Sequence, residues 1–189
     1  HANKNKKSPE DDDRWSLLDS FGKLVQKVHP EIVSMENVPN IRHHDIFRRF
    51  VATLIRENYQ IFYHPVYCPD YGIPQTRKRL ILIASKFGKP TLIEPTHRGK
   101  YRTVKEFIGG LEKIKAGEIS QRDPLHKSPS MNSDMLARIR QSKPGGTWLD
   151  WDEDLRVACH KSESGHSYKS VYGRMVWDEP SPTITTQFY

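Results

Sequence analysis

Long hydrophobic runs are missing from this 189-residue chain, and so is any stretch able to span a bilayer as a helix. Cysteine is scarce. Cys68 and Cys159 stand far apart, which excludes a disulfide framework and a zinc site built from Cys pairs, and suits a reducing compartment. The first residues are polar and charged and carry no secretory-signal pattern. No internal repeat occurs, and no low-complexity tract beyond the charged start. His43-His44 and Cys159-His160 lack a second ligand pair at metal-binding spacing and read as loop residues. Apolar residues (Tyr included) make up only 35% of the chain, against roughly 45–50% in ordinary domains counted with Gly. What the chain does have is charge: 30 Lys and Arg against 23 Asp and Glu, a net +7. A polyanion is therefore a plausible partner, although surplus Lys also makes an ordinary solvated surface.

Periodicity divides the chain. Trp15, Leu18, Phe21, Val25 and Val28 form a helical stripe, preceded by acidic residues that suit the helix dipole and closed by Pro30. Ile32 to Met35 reads as a short buried strand that delivers Glu36 at its C-terminal end. Asp45 can cap a second helix whose apolar face is Ile46, Phe47, Phe50, Val51, Leu54 and Ile55. Tyr59 to Tyr67 and Leu80 to Ala84 read as strands, with a turn at Cys68–Gly72 between them. Strand, helix, strand in this order predicts a three-layer α/β domain with functional groups at strand ends. From Pro90 onward the chain is a patchwork of Pro, Gly, His and basic residues. It has a helical run over Val104–Leu111 and a helix capped by Asn132 or Ser133 that Pro144-Gly145-Gly146 terminates.

Two stretches carry chemistry. Met35-Glu36-Asn37-Val38-Pro39 places a carboxylate on a stiff turn after a strand, where Asn37 and Pro39 fix its direction. A strand-end Glu paired with a nearby Lys is the ordinary alternative. Tyr71-Gly72-Ile73-Pro74-Gln75-Thr76-Arg77-Lys78-Arg79 offers an amide and two guanidiniums two positions apart, which on a strand point to one face. A solvated basic edge strand is the alternative there. Together a carboxylate and guanidiniums complement a planar heterocycle with donors and acceptors along one edge. The expected geometry puts Glu36 within a few ångströms of Arg77 or Arg79, at the C-terminal edge of one parallel sheet.

These stretches resemble the Glu-Asn-Val and Gln-x-Arg-x-Arg motifs of the C5-cytosine DNA methyltransferases, the second with that family's Gly-x-Pro lead-in. Asp13-Arg14-Trp15-Ser16-Leu17-Leu18 resembles the helix after the family's catalytic loop. Tyr172-Gly173-Arg174 and Ser181-Pro182-Thr183-Ile184-Thr185-Thr186 resemble its target-recognition region. The four matches fall in family order along nearly the whole chain. The resemblance implies part of a Rossmann-like, S-adenosylmethionine-dependent methyltransferase sheet in residues 1–98, of α/β class. A loop-rich, irregular, partial target recognition domain would follow in residues 99–189.

By the same resemblance, Glu36 contacts the ring nitrogen and amino group of a flipped cytosine. Arg79 contacts its ring carbonyl, and Arg77 orients Glu36 or the backbone phosphate. Asn37, Gln75, Arg174, Thr183 and Thr185 are expected to bind substrate. The implied activity is methyl transfer from S-adenosylmethionine to C5 of cytosine in a specific site of double-stranded DNA, in the cytoplasm of a prokaryote with a restriction system. A non-catalytic DNA-binding module or partner subunit that keeps the base pocket is the alternative. The family's Pro-Cys nucleophile and Gly-rich cofactor loop are absent: Cys68 and Cys159 lie in other contexts, and neither Gly109-Gly110 nor Gly145-Gly146 follows a strand. The chain is therefore expected to be an internal piece that begins just after the nucleophile loop. It would have no cofactor-binding residues of its own and no metal, and the missing segment would come from the same gene or a partner chain.

Overall fold

The computed structural model describes residues 13–161 and 172–184. They form two compact units. The first comprises the residues up to Tyr67 with Lys78–Pro95; the second comprises Cys68–Arg77 with the residues from Thr96 onward. The expected division after residue 98 falls instead after Pro95. The loop Cys68–Arg77, expected with the first part, clusters with the second, because its long-range hydrogen bonds run to His97 and Ser181.

The first unit is built by period. Helix α1 (Asp13–Val28) buries Leu18 and Val25 and packs Phe21 beside them. It ends where His29 takes a left-handed φ of 50° just before Pro30. Strand β1 (Ile32–Asn37) follows, then a 3₁₀ turn over Pro39–His43 and helix α2 (Asp45–Arg56). Asp45, expected at the cap position, is the first helical residue; His44 occupies the cap, and the Asp45 carboxylate accepts from Arg48 Nε at 2.9 Å. Asn58, at φ 65°, closes α2 and turns the chain into β2 (Gln60–Tyr67), and β3 is Lys78–Ser85.

The sheet order is β1-β3-β2, with both pairings antiparallel. The sheet is therefore not the expected parallel one. β1 and β2, joined through α2, do run in one direction, but β3 folds back from β2 and inserts between them, antiparallel to both. Leu80, Leu82 and Ala84 of β3, none of them accessible, face Val33, Ile46, Phe47, Phe50 and Leu54. Phe47 meets Tyr63 edge-on at 5.1 Å, and Phe21 stacks on Phe50 at 5.4 Å, so α1 seals the core from behind α2. Burying one such Leu or Phe side chain contributes roughly 1.5–3 kcal/mol.

Two details depart from expectation. β1 is an edge strand with only Val33 buried, not a buried strand. Helix α2 packs on the Leu80–Ala84 face and α1 packs against α2, so both helices of this unit lie on one side of the sheet and not on its two faces as expected. The opposite face carries Ser34 and Glu36 of β1, Arg79, Ile81 and Ile83 of β3, and Phe62 and His64 of β2.

The second unit has short helices and many caps. Helix α3 (Val104–Ile108), shorter than the expected run to Leu111, opens on a capping box between Thr103 and Glu106. The Arg102 guanidinium and that cap hold the Glu106 carboxyl below its ordinary range. Helix α4 (Ser133–Gln141) is capped by Asn132, whose carboxamide oxygen accepts from Met135 N at 2.9 Å. Two 3₁₀ turns, Trp148–Asp150 and Glu153–Leu155, and helix α5 (Ala158–Lys161) follow. Their core is aromatic. Trp148 and Trp151 are buried, and His160, expected in a loop, lies flat on Trp148 at 4.3 Å. Burial, reinforced by Arg138 and Arg156, pushes the His160 pKa down.

Candidate active site

Glu36 sits at the penultimate position of β1, opposite Ile81 of β3. Arg79 is two residues from Ile81 on the same face, the diagonal neighbour that a long side chain reaches. The structure brings the two together: Arg79 Nε lies 2.5 Å from Glu36 Oε1, a charge-assisted contact. The Arg side chain is 20% exposed and the Glu side chain 53%, so one flank of the pair is open. Arg79 Nη1 donates to Lys78 O at 2.7 Å, which fixes the fork against its own strand. No hydrogen bond to Glu36 Oε2 or from Arg79 Nη2 occurs among the described residues, which leaves one acceptor and one donor of the pair available. The Asn37 side-chain oxygen accepts from Val38 N at 2.8 Å and stiffens the turn into Pro39. Lys78, one residue before Arg79, places its ammonium over the Tyr67 ring instead.

In the second unit, the loop before β3 is gripped from two sides. Thr76 N donates to Ser181 O and Ser181 N to Pro74 O, both at 2.8 Å, an isolated parallel bridge centred on Gln75 and Ser181. Thr76 Oγ1 also donates to Ser181 O (3.1 Å), and Thr183 Oγ1 donates to Thr76 O (3.2 Å). Stretches more than a hundred residues apart in sequence are thus zipped together. On the other side, Gly72 has φ 81° and lies under the His97 ring. A Cβ there would come within 2.9 Å of His97 Cε1, so both the backbone angle and the close approach require glycine. His97 N donates to Asp70 O at 2.9 Å, and Asp70 faces Arg98 across 3.9 Å.

The remaining expected residues divide. Arg77 precedes β3, belongs to the second unit and is half-buried; it makes no ion pair among the described residues. Its N–H donates to Gln75 O at 2.7 Å. Arg174 spends a guanidinium nitrogen on Ser142 O (2.7 Å), while its backbone exchanges hydrogen bonds with Gly145 and Gly146; it ties the turn after α4 to its own segment. Thr183 is exposed at the seam just described. Thr185 and Thr186 lie outside the described residues. Cys68 opens the 3₁₀ turn after β2 as a free, half-buried thiol.

Thr76, Ser181 and His97 are the members of this arrangement that sequence reasoning missed. Tyr-Gly-x-Pro signalled a turn at Gly72, but nothing in the sequence links it to His97. No helix of the described residues is long and apolar enough to cross a membrane, and no cluster of three metal-ligating side chains occurs among them.

The chain is 47% identical over 178 residues to the type II methylase M.HgiDII of Herpetosiphon aurantiacus, covering 92% of this chain and 50% of that protein. It is 32% identical over 181 residues to the type II methyltransferase M1.HphI of Haemophilus parahaemolyticus, with 93% and 46% covered. The chain therefore spans about half the length of the curated relatives it matches. Among solved structures, a prophage-encoded Escherichia coli protein assigned as a DNA modification methyltransferase superposes with a TM-score of 0.56. That likeness, at 19% identity over 92% of this chain and 58% of the other, shows a shared fold. Residues 3–187 match the family model for C-5 cytosine-specific DNA methylases, and the chain belongs to that family.

Proposed function

We infer that this chain forms the base-holding and DNA-reading part of a DNA (cytosine-5)-methyltransferase of a bacterial restriction–modification system. The observation that carries this reading is the Glu36–Arg79 pair, half open at the end of β1 in a chain of this family. A cytosine turned out of the helix offers an amino group, a ring nitrogen and a carbonyl along one edge. Glu36 accepts from the amino group and stabilises positive charge as the ring nitrogen takes a proton; Arg79 donates to the carbonyl. The contact between them pre-sets both groups before the base arrives, so little reorganisation is needed in the transition state. Arg77, free of ion pairing among the described residues, faces a phosphate. Asn37 stiffens the turn behind Glu36 in the first unit; Gln75, in the loop zipped to Ser181–Thr183, binds substrate from the second. Thr183 and Thr185 read bases beyond the target, and Arg174 supports that segment through Ser142.

S-adenosylmethionine supplies the methyl group in this family's reaction. The described residues do not fit its cradle. Gly109-Gly110 follows a helix, and Gly146 is packed so tightly against the Asp150 carboxylate that it serves its own turn. No step is assigned to Cys68. On this reading the donor site and the thiol nucleophile are supplied by other polypeptide, of the same protein or of a partner.

The test is direct. The complete protein carrying this chain, given S-adenosylmethionine and duplex DNA, should produce 5-methylcytosine at one short site in bisulfite sequencing. Specific DNA binding without methylation would favour a non-catalytic module. The absence of both DNA binding and methylation would overturn the reading.

A further inference from the structure

In the second unit, Glu112–Ser128 is a hairpin held by backbone hydrogen bonds between Glu118–Ser120 and His126–Ser128 and pinned further by its own side chains. Ser120 Oγ donates to Glu112 Oε2 at 2.6 Å and accepts from Arg122 N and Asp123 N. Asp123 holds the tip: its carboxylate accepts from Leu125 N at 2.9 Å and its carbonyl from His126 N at 3.0 Å. His126 Nε2 reaches Glu112 O at 2.9 Å, and an antiparallel bridge joins Ile119 to Lys127. At the tip is Leu125, 87% exposed, the most exposed large hydrophobic residue described. A Leu so fully exposed while six hydrogen bonds hold its turn in shape is presented, not merely left over.

The charges around it are sorted. The Glu112 and Asp123 carboxylates accept from the loop's own donors, and Glu118 accepts from Lys115 N at 2.7 Å. Lys113, Lys115, Arg122 and Lys127 are exposed and make no ion pair among the described residues. An apolar point flanked by unpaired cations suits a polyanion with apolar planes stacked inside it. Proteins that kink DNA insert Leu, Ile, Met or Pro between base pairs while Arg and Lys hold the phosphates alongside. We propose that this hairpin is a DNA wedge: Pro124-Leu125 enters a base step beside the target site, and Arg122 and Lys127 grip the flanking phosphates. The proposal rests on the reading of this protein as a DNA methylase. It adds a contact that partly unstacks DNA away from the flipped cytosine, and so makes deformable flanking steps part of the preference.

The experiment uses the complete protein and duplexes carrying 2-aminopurine at successive positions on either side of the methylated site. Wild type should raise fluorescence at one flanking step as well as at the target. Leu125→Ala should abolish the flanking signal and weaken binding roughly tenfold, with its thermal transition unchanged; Leu125→Met should restore the signal. Arg122→Ala and Lys127→Ala should each lower the salt dependence of binding by about one unit of slope. If wild type methylates its site while Leu125→Ala keeps the flanking signal and full affinity, the wedge is wrong and the methylase reading stands. Loss of self-association or of subunit assembly in Leu125→Ala, with DNA binding intact, would place the tip in a protein contact and overturn the wedge. If wild type neither binds nor methylates DNA, both fall.

Discussion

In the first unit, Leu80, Leu82 and Ala84 alternate along one strand and meet Phe47, Phe50 and Leu54 from one helix. In the second, Trp148, Trp151 and His160 come from a 3₁₀ turn, its end and a four-residue helix, and are tied down by single bonds such as Trp151 Nε1 to Ser142 Oγ at 2.9 Å. One core repeats a pattern; the other assembles separate anchors. A repeated core tolerates little change along its length but places a site sharply, as β1 and β3 place Glu36 against Arg79. A core of anchors leaves the loops between them free to vary in sequence.

The largest effects come from emptying each core. Trp148→Ala should cost about 3–5 kcal/mol and Leu82→Ala about 2–5 kcal/mol. If the units unfold separately, each substitution lowers its own transition alone in calorimetry. A single shared shift would mean that the two cores cooperate as one. Next comes Glu36→Gln, which removes the charge but keeps the shape. Turnover in the complete protein should fall by about 10²–10³, as for loss of one pre-organised transition-state donor, while the melting temperature barely moves because the Glu36 side chain is half exposed. Single-turnover methylation measures the first and calorimetry the second. Equal turnover would remove Glu36 from the chemistry.

The first unit was largely legible in the sequence because its two periods, 3.6 and 2, are each set by burial on one face. The stripe from Leu18 to Val25 and the face from Ile46 to Leu54 are where periodicity puts them. Strand direction was not legible. Strand–helix–strand makes β1 and β2 parallel, but nothing local tells β3 to insert between them. Pairing of Glu36 with a guanidinium two positions into a motif could be anticipated from alternation; the choice of Arg79 over Arg77 depended on where β3 starts. In the second unit, Asn132 declared itself as a cap by chemistry alone. Its core did not, because Trp148, Trp151 and His160 share no spacing. His97 over Gly72 and Thr76 against Ser181 are long-range contacts with no periodic signal.

A smaller effect sharpens the contrast in how the units are held. Asn132→Ala removes the oxygen that accepts from Met135 N and should cost the second unit about 0.5–2 kcal/mol. The same substitution at Asn37, whose side chain closes only its own turn, should leave the first unit's transition nearly in place. If both variants lost equal stability, the first unit would depend on caps as much as the second.

The smallest expected effect is a pH dependence confined to the second unit. His160 is buried against Trp148, Trp151 and Tyr172, with Arg138 from α4 and Arg156 from the turn before α5 as its charged neighbours. Burial first, and the two guanidiniums second, disfavour its protonated form, so its folded pKa lies below the ordinary histidine value. The unfolded chain then binds the proton more readily than the folded one, and stability rises with pH wherever that difference exists. Stability from a neutral His160 is complete above the unfolded pKa, about 6.5, and declines as pH falls below it toward the folded value. Three of the four tryptophans, Trp148, Trp151 and Trp177, lie in the second unit, so denaturant titrations followed by tryptophan fluorescence report mainly on it. Between pH 7.5 and 5.5 the midpoint should fall, and His160→Phe, which keeps a flat ring on Trp148 but cannot take a proton, should flatten that fall. An undiminished slope in His160→Phe would move the proton to another group and leave the aromatic core insensitive to pH.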